Sequence, residues 1–208
     1  MKNTSSSPEA VTWTADCHPT TLEVSGSPRI IPTTLGPALE FDGKGDGIWL
    51  DSVPVAGLEE CTIEMIFKPY GSSEFEQRYF HIGESAGPRV MMELRMNPDD
   101  RWYLDSFFYL DDERKKTLLD TEKTHPADKW YNITYVLGKD GTKSYVDGVL
   151  ECSDPFPYEP GVNTGITSLG VRLNKVCWFK GAILKIRFTP KQLRPEEFLT
   201  DAAVLNSI

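Results

Sequence analysis

The sequence predicts an all-β chain, an antiparallel β-sandwich with at most a short C-terminal helix. Residues 129–151, KWYNITYVLGKDGTKSYVDGVLE, read as strand, turn, strand, turn, strand, with Asp140-Gly141 and Asp147-Gly148 at the reversals. An Asp-Gly pair between alternating segments is a strong hairpin signal, because glycine takes positive φ without steric cost. Roughly a dozen short strand-like segments recur at near-even spacing with turn residues between them, the pattern of a sandwich or jelly roll. Helical signals are confined to the region of residues 194–199, where Pro195 suits a first helical position ahead of Glu196 and Glu197.

Taken in order, residues 1–10 (MKNTSSSPEA) are polar and serine-rich and are expected to fray, leaving 11–208 as one domain. Neither a linker nor an internal repeat divides it. Between residues 11 and 37, Pro19, Pro28, Pro32 and Pro37 interrupt short apolar pieces. That suits edge strands, since proline cannot donate to a ladder. ALEFDGKGDGIWL gives two strands about a glycine-rich turn, with Leu39 and Phe41 on one face and Glu40 and Asp42 on the other. TIEMIFKP alternates again and aligns Ile63, Met65 and Phe67. Strands follow over residues 78–84, 89–96 and 101–110, then the 129–151 unit, then 166–173 and 176–188. Trp130 and Trp178 sit among apolar neighbours and are assigned to the core; Trp49 suits either core or surface.

Composition narrows the partners. Lys and Arg number 22 against 31 Asp and Glu, a net charge of −9, which argues against nucleic acid and against bulk attraction to an anionic membrane. No apolar run approaches the ~20 residues of a transmembrane helix. The start lacks an apolar signal-peptide core. The expected location is therefore cytoplasmic, or extracellular or periplasmic if a signal has been removed. Cys17, Cys61, Cys152 and Cys177 contain no Cys-x-x-Cys pair, which disfavours zinc and redox sites. A chain of this size needs no disulfide for its core, so buried free thiols are favoured over a bridge.

ALEFDGKGDGIWL, TIEMIFKP, KWYNITYVLGKDGTKSYVDG and FKGAILKIRFTPKQLRPEEF, in that order, resemble the laminin-G-like branch of the concanavalin A-like lectin/glucanase superfamily over about residues 35–200. The resemblance implies a jelly roll of two large sheets and a carbohydrate or protein ligand. Its members include lectins, glycosidases, lyases and adhesive modules, so function has to be argued from the site.

Glucanases of this fold carry Glu-x-Asp-x-Glu on one strand, and retaining hydrolysis needs two carboxyls about 5–5.5 Å apart. Here Glu64 stands alone, with Ile66 and Lys68 as its same-face neighbours. A polysaccharide lyase needs a base and a cation that neutralises the uronate carboxylate; the candidates are His81, Glu93, Arg95 and Tyr109, although the Gln-x-His strand of alginate-type lyases is missing. Alternation places Arg89, Met91, Glu93 and Arg95 on one face of their strand, and Arg101, Tyr103, Asp105, Phe107 and Tyr109 on the same face of the next. From these, Glu93, Arg95, Tyr103, Asp105 and Tyr109 form a candidate sugar-binding surface of aromatic and charged groups. A plain solvated sheet face would share that pattern. No cofactor is required; calcium is possible, with Asp42 and Asp46 of DGKGDG as weak ligands, although aspartates in such turns usually cap backbone N–H groups. The expected function is a non-catalytic module that binds carbohydrate through one sheet face. The alternatives are a lyase or hydrolase on the same fold, or a protein-binding adhesive domain.

Overall fold

The computed structural model describes residues 9–159 and 161–207. Most of the segment expected to fray, residues 1–8, lies outside the described residues. Alternating apolar and polar positions give strands that stack as two antiparallel sheets, as the sequence predicts. The first sheet runs β14 (Val149–Asp154), β13 (Gly141–Val146), β12 (Tyr131–Gly138), β6 (Cys61–Pro69), β16 (Lys180–Thr189), β4 (Gly36–Asp42), β3 (Arg29–Thr33). A further strand, β1 (Val11–Thr14), pairs with residues 185–188 of β16, beyond the stretch that β4 covers. The second sheet runs β10 (Lys115–Leu119), β9 (Arg101–Tyr109), β8 (Arg89–Met96), β7 (Glu76–Gly83), β15 (Ile166–Leu169), β5 (Gly47–Leu50), β2 (Thr21–Ser25), with β11 (His125–Pro126) paired to β9.

Between the sheets lies the core. Leu39, Phe41, Ile63, Met65 and Phe67 face Phe80, Ile82, Val90, Met92, Leu94, Trp102, Leu104 and Phe108. Each such side chain contributes about 1.5–3 kcal/mol on full burial. Phe67 meets the edge of Trp102 at 5.2 Å and stacks on Phe179 at 6.1 Å. Among the polar groups inside, the Tyr135 hydroxyl lies 3.1 Å from that of Tyr79 and 2.5 Å from Ser106 Oγ, whereas Trp102 Nε1 has no hydrogen-bond partner.

Turn chemistry follows the sequence at Asp147-Gly148, where both residues take positive φ (48° and 79°) as a two-residue hairpin demands. At the other hairpin the reversal falls one residue earlier than the Asp140-Gly141 pair suggests, on Lys139-Asp140, with Gly141 already paired to Gly138. The DGKGDG turn joins β4 and β5, which belong to different sheets, so it is a crossover rather than a hairpin.

Three further departures have physical causes. Trp178 is only partly buried and precedes β16, standing edge-on to the buried Trp49 at 6.5 Å instead of in the core. Helical structure near residue 195 is a single 3-10 turn, Pro195–Glu197, and the short C-terminal helix lies just beyond the residues expected to form it, as α1 (Asp201–Asn206). A helix that short carries almost no periodicity; it is held instead by tertiary contacts. Ala202 packs with Ile66, Trp130 and Leu184, and the Asn206 amide both accepts from Trp130 N–H (3.0 Å) and donates to its carbonyl (2.7 Å). Strands β10 and β11, too short and polar to read, complete the edge of the second sheet.

Candidate functional site

The outer face of the second sheet is set by register. Side chains two apart on a strand share a face at roughly 6.6 Å spacing, so each cross-strand pairing builds a row. Arg89 stands opposite Tyr109, and Tyr109 opposite Lys115. The next row is Ser168, His81, Met91, Phe107 and Thr117. Below it lie Arg78, Glu93, Asp105 and Leu119, and then Glu76, Arg95 and Tyr103. From Arg89 to Arg95 the face extends about 20 Å. A cavity of about 300 Å³ opens on it, lined among others by Arg78, Arg89, Glu93, Asp105, Phe107 and Arg172.

A bulge shapes one end. The pairing shifts between Arg78 and Phe80, which turns Tyr79 into the core and Arg78 outward. Strict alternation from Phe80 would send Arg78 inward. Outward, its Nε lies 3.0 Å from Glu93 Oε2 and its Nη1 donates to Glu76 Oε2 at 2.7 Å. Arg95 Nη1 lies 3.2 Å from the same Glu93 oxygen, and Nη2 lies 2.6 Å from Asp105 Oδ2. Burial pushes the Glu93 carboxyl up, with Arg78 and Arg95 holding part of that shift back, and burial likewise raises Asp105. The hydrogen bond from Arg78 holds the more exposed Glu76 carboxyl below the usual range.

The other end carries two cations. Arg89 Nη1 donates to the Gly87 carbonyl at 2.7 Å, and its guanidinium lies 4.5 Å from the Tyr109 ring centre and 5.3 Å from that of Phe107. Arg172 projects from the loop after β15. Gly170, at φ +77°, starts that loop, and a Cβ there would fall 2.3 Å from the Phe41 ring. Trp49 Nε1 donates to Leu173 O at 3.3 Å, and Leu173 N–H reaches His81 Nδ1 at 3.4 Å.

His81 therefore sits on the expected face but is fully buried. With Nδ1 accepting from Leu173, Nε2 is left to donate to the Glu84 carbonyl at 3.1 Å. Burial depresses its pKa to about 3, so it stays neutral, and it braces the Arg172 loop. Glu93, Arg95 and Asp105 come together as one network around the cavity. Tyr103 and Tyr109 share the face but lie outside the cavity lining. Tyr109 donates to Asp112 Oδ1 at 2.8 Å, a bond that raises its pKa. Arg89, Met91 and Phe107 were visible by alternation as same-face residues, yet a search for mixed aromatic–carboxylate groups passes over them. Arg78 and Arg172 had no sequence signal, since a bulge and a loop place them.

Asp42 and Asp46 do not line this cavity; they line a separate recess with Glu40, Tyr70 and Lys180. Asp42 Oδ1 accepts the N–H groups of Lys44, Gly45 and Asp46 (2.8, 2.9 and 3.1 Å). Burial acts to raise the Asp42 carboxyl, and those backbone bonds outweigh it, leaving it below its usual range. Asp46 accepts from Ser27 N–H (2.7 Å) and Asp42 N–H (3.1 Å). Both carboxylates thus stabilise the crossover. Among the described residues no group of three or more His, Cys, Asp or Glu side chains is placed to hold a metal ion. All four cysteines, at positions 17, 61, 152 and 177, are free thiols.

The sequence profile of the Laminin_G_3 family, described as concanavalin A-like lectin/glucanases superfamily, matches residues 42–198. No curated protein sequence matches the chain. Among solved structures it is similar to domain 4 of AbnA, a GH43 extracellular arabinanase from Geobacillus stearothermophilus, in complex with arabinotriose (22% identity, 86% of this chain and 82% of that one, TM-score 0.63). It is also similar to the CBM40 of Ruminococcus gnavus IT-sialidase bound to α2,3 sialyllactose (18%, 87% and 97%, 0.59). A third is the binding domain of botulinum neurotoxin DC in complex with SialylT (14%, 89% and 46%, 0.61), of which this chain spans less than half. At these identities the likeness is one of fold.

Proposed function

As the chain belongs to the concanavalin A-like lectin/glucanases superfamily, we propose that it is a non-catalytic module that binds carbohydrate through the outer face of the second sheet. The observation that carries this is the open cavity on that face, where Glu93, Arg95 and Asp105 converge beside Phe107. Carboxylates and guanidiniums suit sugar hydroxyls, and an aromatic surface suits the apolar side of a sugar ring. The arabinotriose and sialyllactose complexes of similarly folded domains support the reading.

Lyase chemistry finds less support. His81 spends both ring nitrogens on backbone groups, and Tyr109 donates its proton to Asp112. An adhesive role through an apolar sheet face is also less supported, because the apolar outer face of the first sheet already packs against Trp130 and α1.

A glycan array probed with the purified chain tests the proposal. Binding is expected, with at least one hit weakened about tenfold by Phe107→Ala. Val204→Ser, on the exposed side of α1, is expected to leave it unchanged. An array without hits, or hits indifferent to changes at Phe107, Glu93 and Asp105, would overturn it.

A further inference from the structure

Resting on the carbohydrate-binding reading, we propose that this face takes an acidic sugar. Arg89 and Arg172 hold the carboxylate of a sialic or uronic acid residue, and Glu93 and Asp105 meet hydroxyls farther along the same glycan.

The arginines themselves point there. Of nine in the sequence, Arg29, Arg78, Arg95, Arg114, Arg187 and Arg194 form ion pairs with carboxylates. Arg101 commits Nε and Nη2 to Thr124. Arg89 and Arg172 have no carboxylate within ion-pair distance among the described residues, and both line one cavity. Burial lowers the Arg89 pKa, and the neighbouring Arg172 charge lowers it further. A chain with a net charge of −9 thus leaves two guanidiniums repelling each other in one recess. An anion seated between them relieves that repulsion, and a carboxylate matches the planar donor fork of arginine in two parallel hydrogen bonds.

The rest of the cavity sets what the anion is attached to. Glu76, Glu93 and Asp105 share the two guanidiniums of Arg78 and Arg95, so that end keeps an excess of carboxylate, accepts hydroxyl donors and repels a second acid. The face therefore suits a glycan with one acidic residue at the Arg89–Arg172 end, rather than a uniformly charged polymer. Both cations are also positioned in advance. Gly87 and the Tyr109 ring fix Arg89, and the loop of Arg172 is tied down through Leu173 to His81 and Trp49. Preorganised groups lose less freedom on binding.

Calorimetry on the full chain would compare 3′-sialyllactose and a xylotriose bearing a single glucuronic acid with the neutral lactose and arabinotriose. One acidic probe is expected to bind at least about tenfold more tightly than the neutral sugars, and which of the two does so identifies the source of the carboxylate. Arg89→Gln and Arg172→Gln should each weaken it about tenfold or more, and added salt should weaken it further. Arg172→Lys, which keeps the charge without the fork, should show a smaller loss and serves if the glutamine variant fails to fold. Neutral sugars binding as well as acidic ones, or arginine variants without effect, would overturn the acidic-sugar assignment and leave carbohydrate binding standing. Failure of every probe, together with an empty glycan array, would remove both.

Discussion

The two sheets share one core, yet their outer faces have opposite fates. Behind the first sheet, Ala38, Ile66, Ala182 and Leu184 form an apolar surface that Trp130 and Ala202 cover, and Val136 and Tyr145 are covered by Leu193 and Phe198. The one acid on β6, Glu64, is wholly buried there, ion-paired to Arg187 and accepting Leu199 N–H at 2.7 Å. Behind the second sheet, charged groups collect around a cavity lined by β8 and β9. On the covered face Arg187 pairs with Glu64, and Lys185 with Asp201 of α1. On the open face Arg89 and Arg172 have no ion-paired carboxylate among the described residues, and a group that folding does not need is a candidate for binding.

The sharpest way to break this contrast is Glu64→Ala. It strands Arg187 and the Leu199 N–H under the C-terminal segment and should cost about 3–5 kcal/mol in urea unfolding. A loss below about 1 kcal/mol would mean the covered face is not held by that pair. Gly170→Ala comes next, because the new Cβ meets Phe41 and the residue must keep positive φ; about 3 kcal/mol is expected, with sugar binding lost as the Arg172 loop shifts.

His81→Gln probes the brace beneath the open face. The folded-state pKa of about 3 lies below the unfolded value, so between those limits the unfolded chain binds the extra proton. That contribution to stability is present at neutral pH and declines as the pH falls below about 6.5. Between pH 7 and 5 the wild type should lose about 2 kcal/mol more than the variant, measured by denaturant titration at each pH. Equal losses would mean that the ring titrates freely. Arg172→Gln should move stability least, within about 0.5 kcal/mol and in the stabilising direction as Arg89 loses a like-charged neighbour. A clear destabilisation would make Arg172 a structural residue and remove the distinction between the faces.

Where local chemistry dominates, the sequence was readable. Asp147-Gly148 marked its hairpin, and period-two alternation put Glu93, Arg95 and Asp105 on one face and Leu94, Leu104 and Phe108 inside. What escaped depends on distant contacts. The bulge at Arg78 breaks the alternation rule, and Arg172 reaches the cavity only because β15 pairs between β7 and β5. His81 looked reactive by residue type; the loop that seals it is far away in the chain. Trp178 misled because apolar neighbours in sequence do not guarantee a strand, and α1 exists only by virtue of the surface it covers.

The pairing of β1 with β16 sets Val11 opposite Phe188, so the first described strand and the last strand of the chain lie side by side in the first sheet. A tether or neighbouring module joined near these points would depart from the back of the molecule. Spliced into a larger polypeptide, the sandwich would be displayed like a bead whose proposed binding face points away from its string.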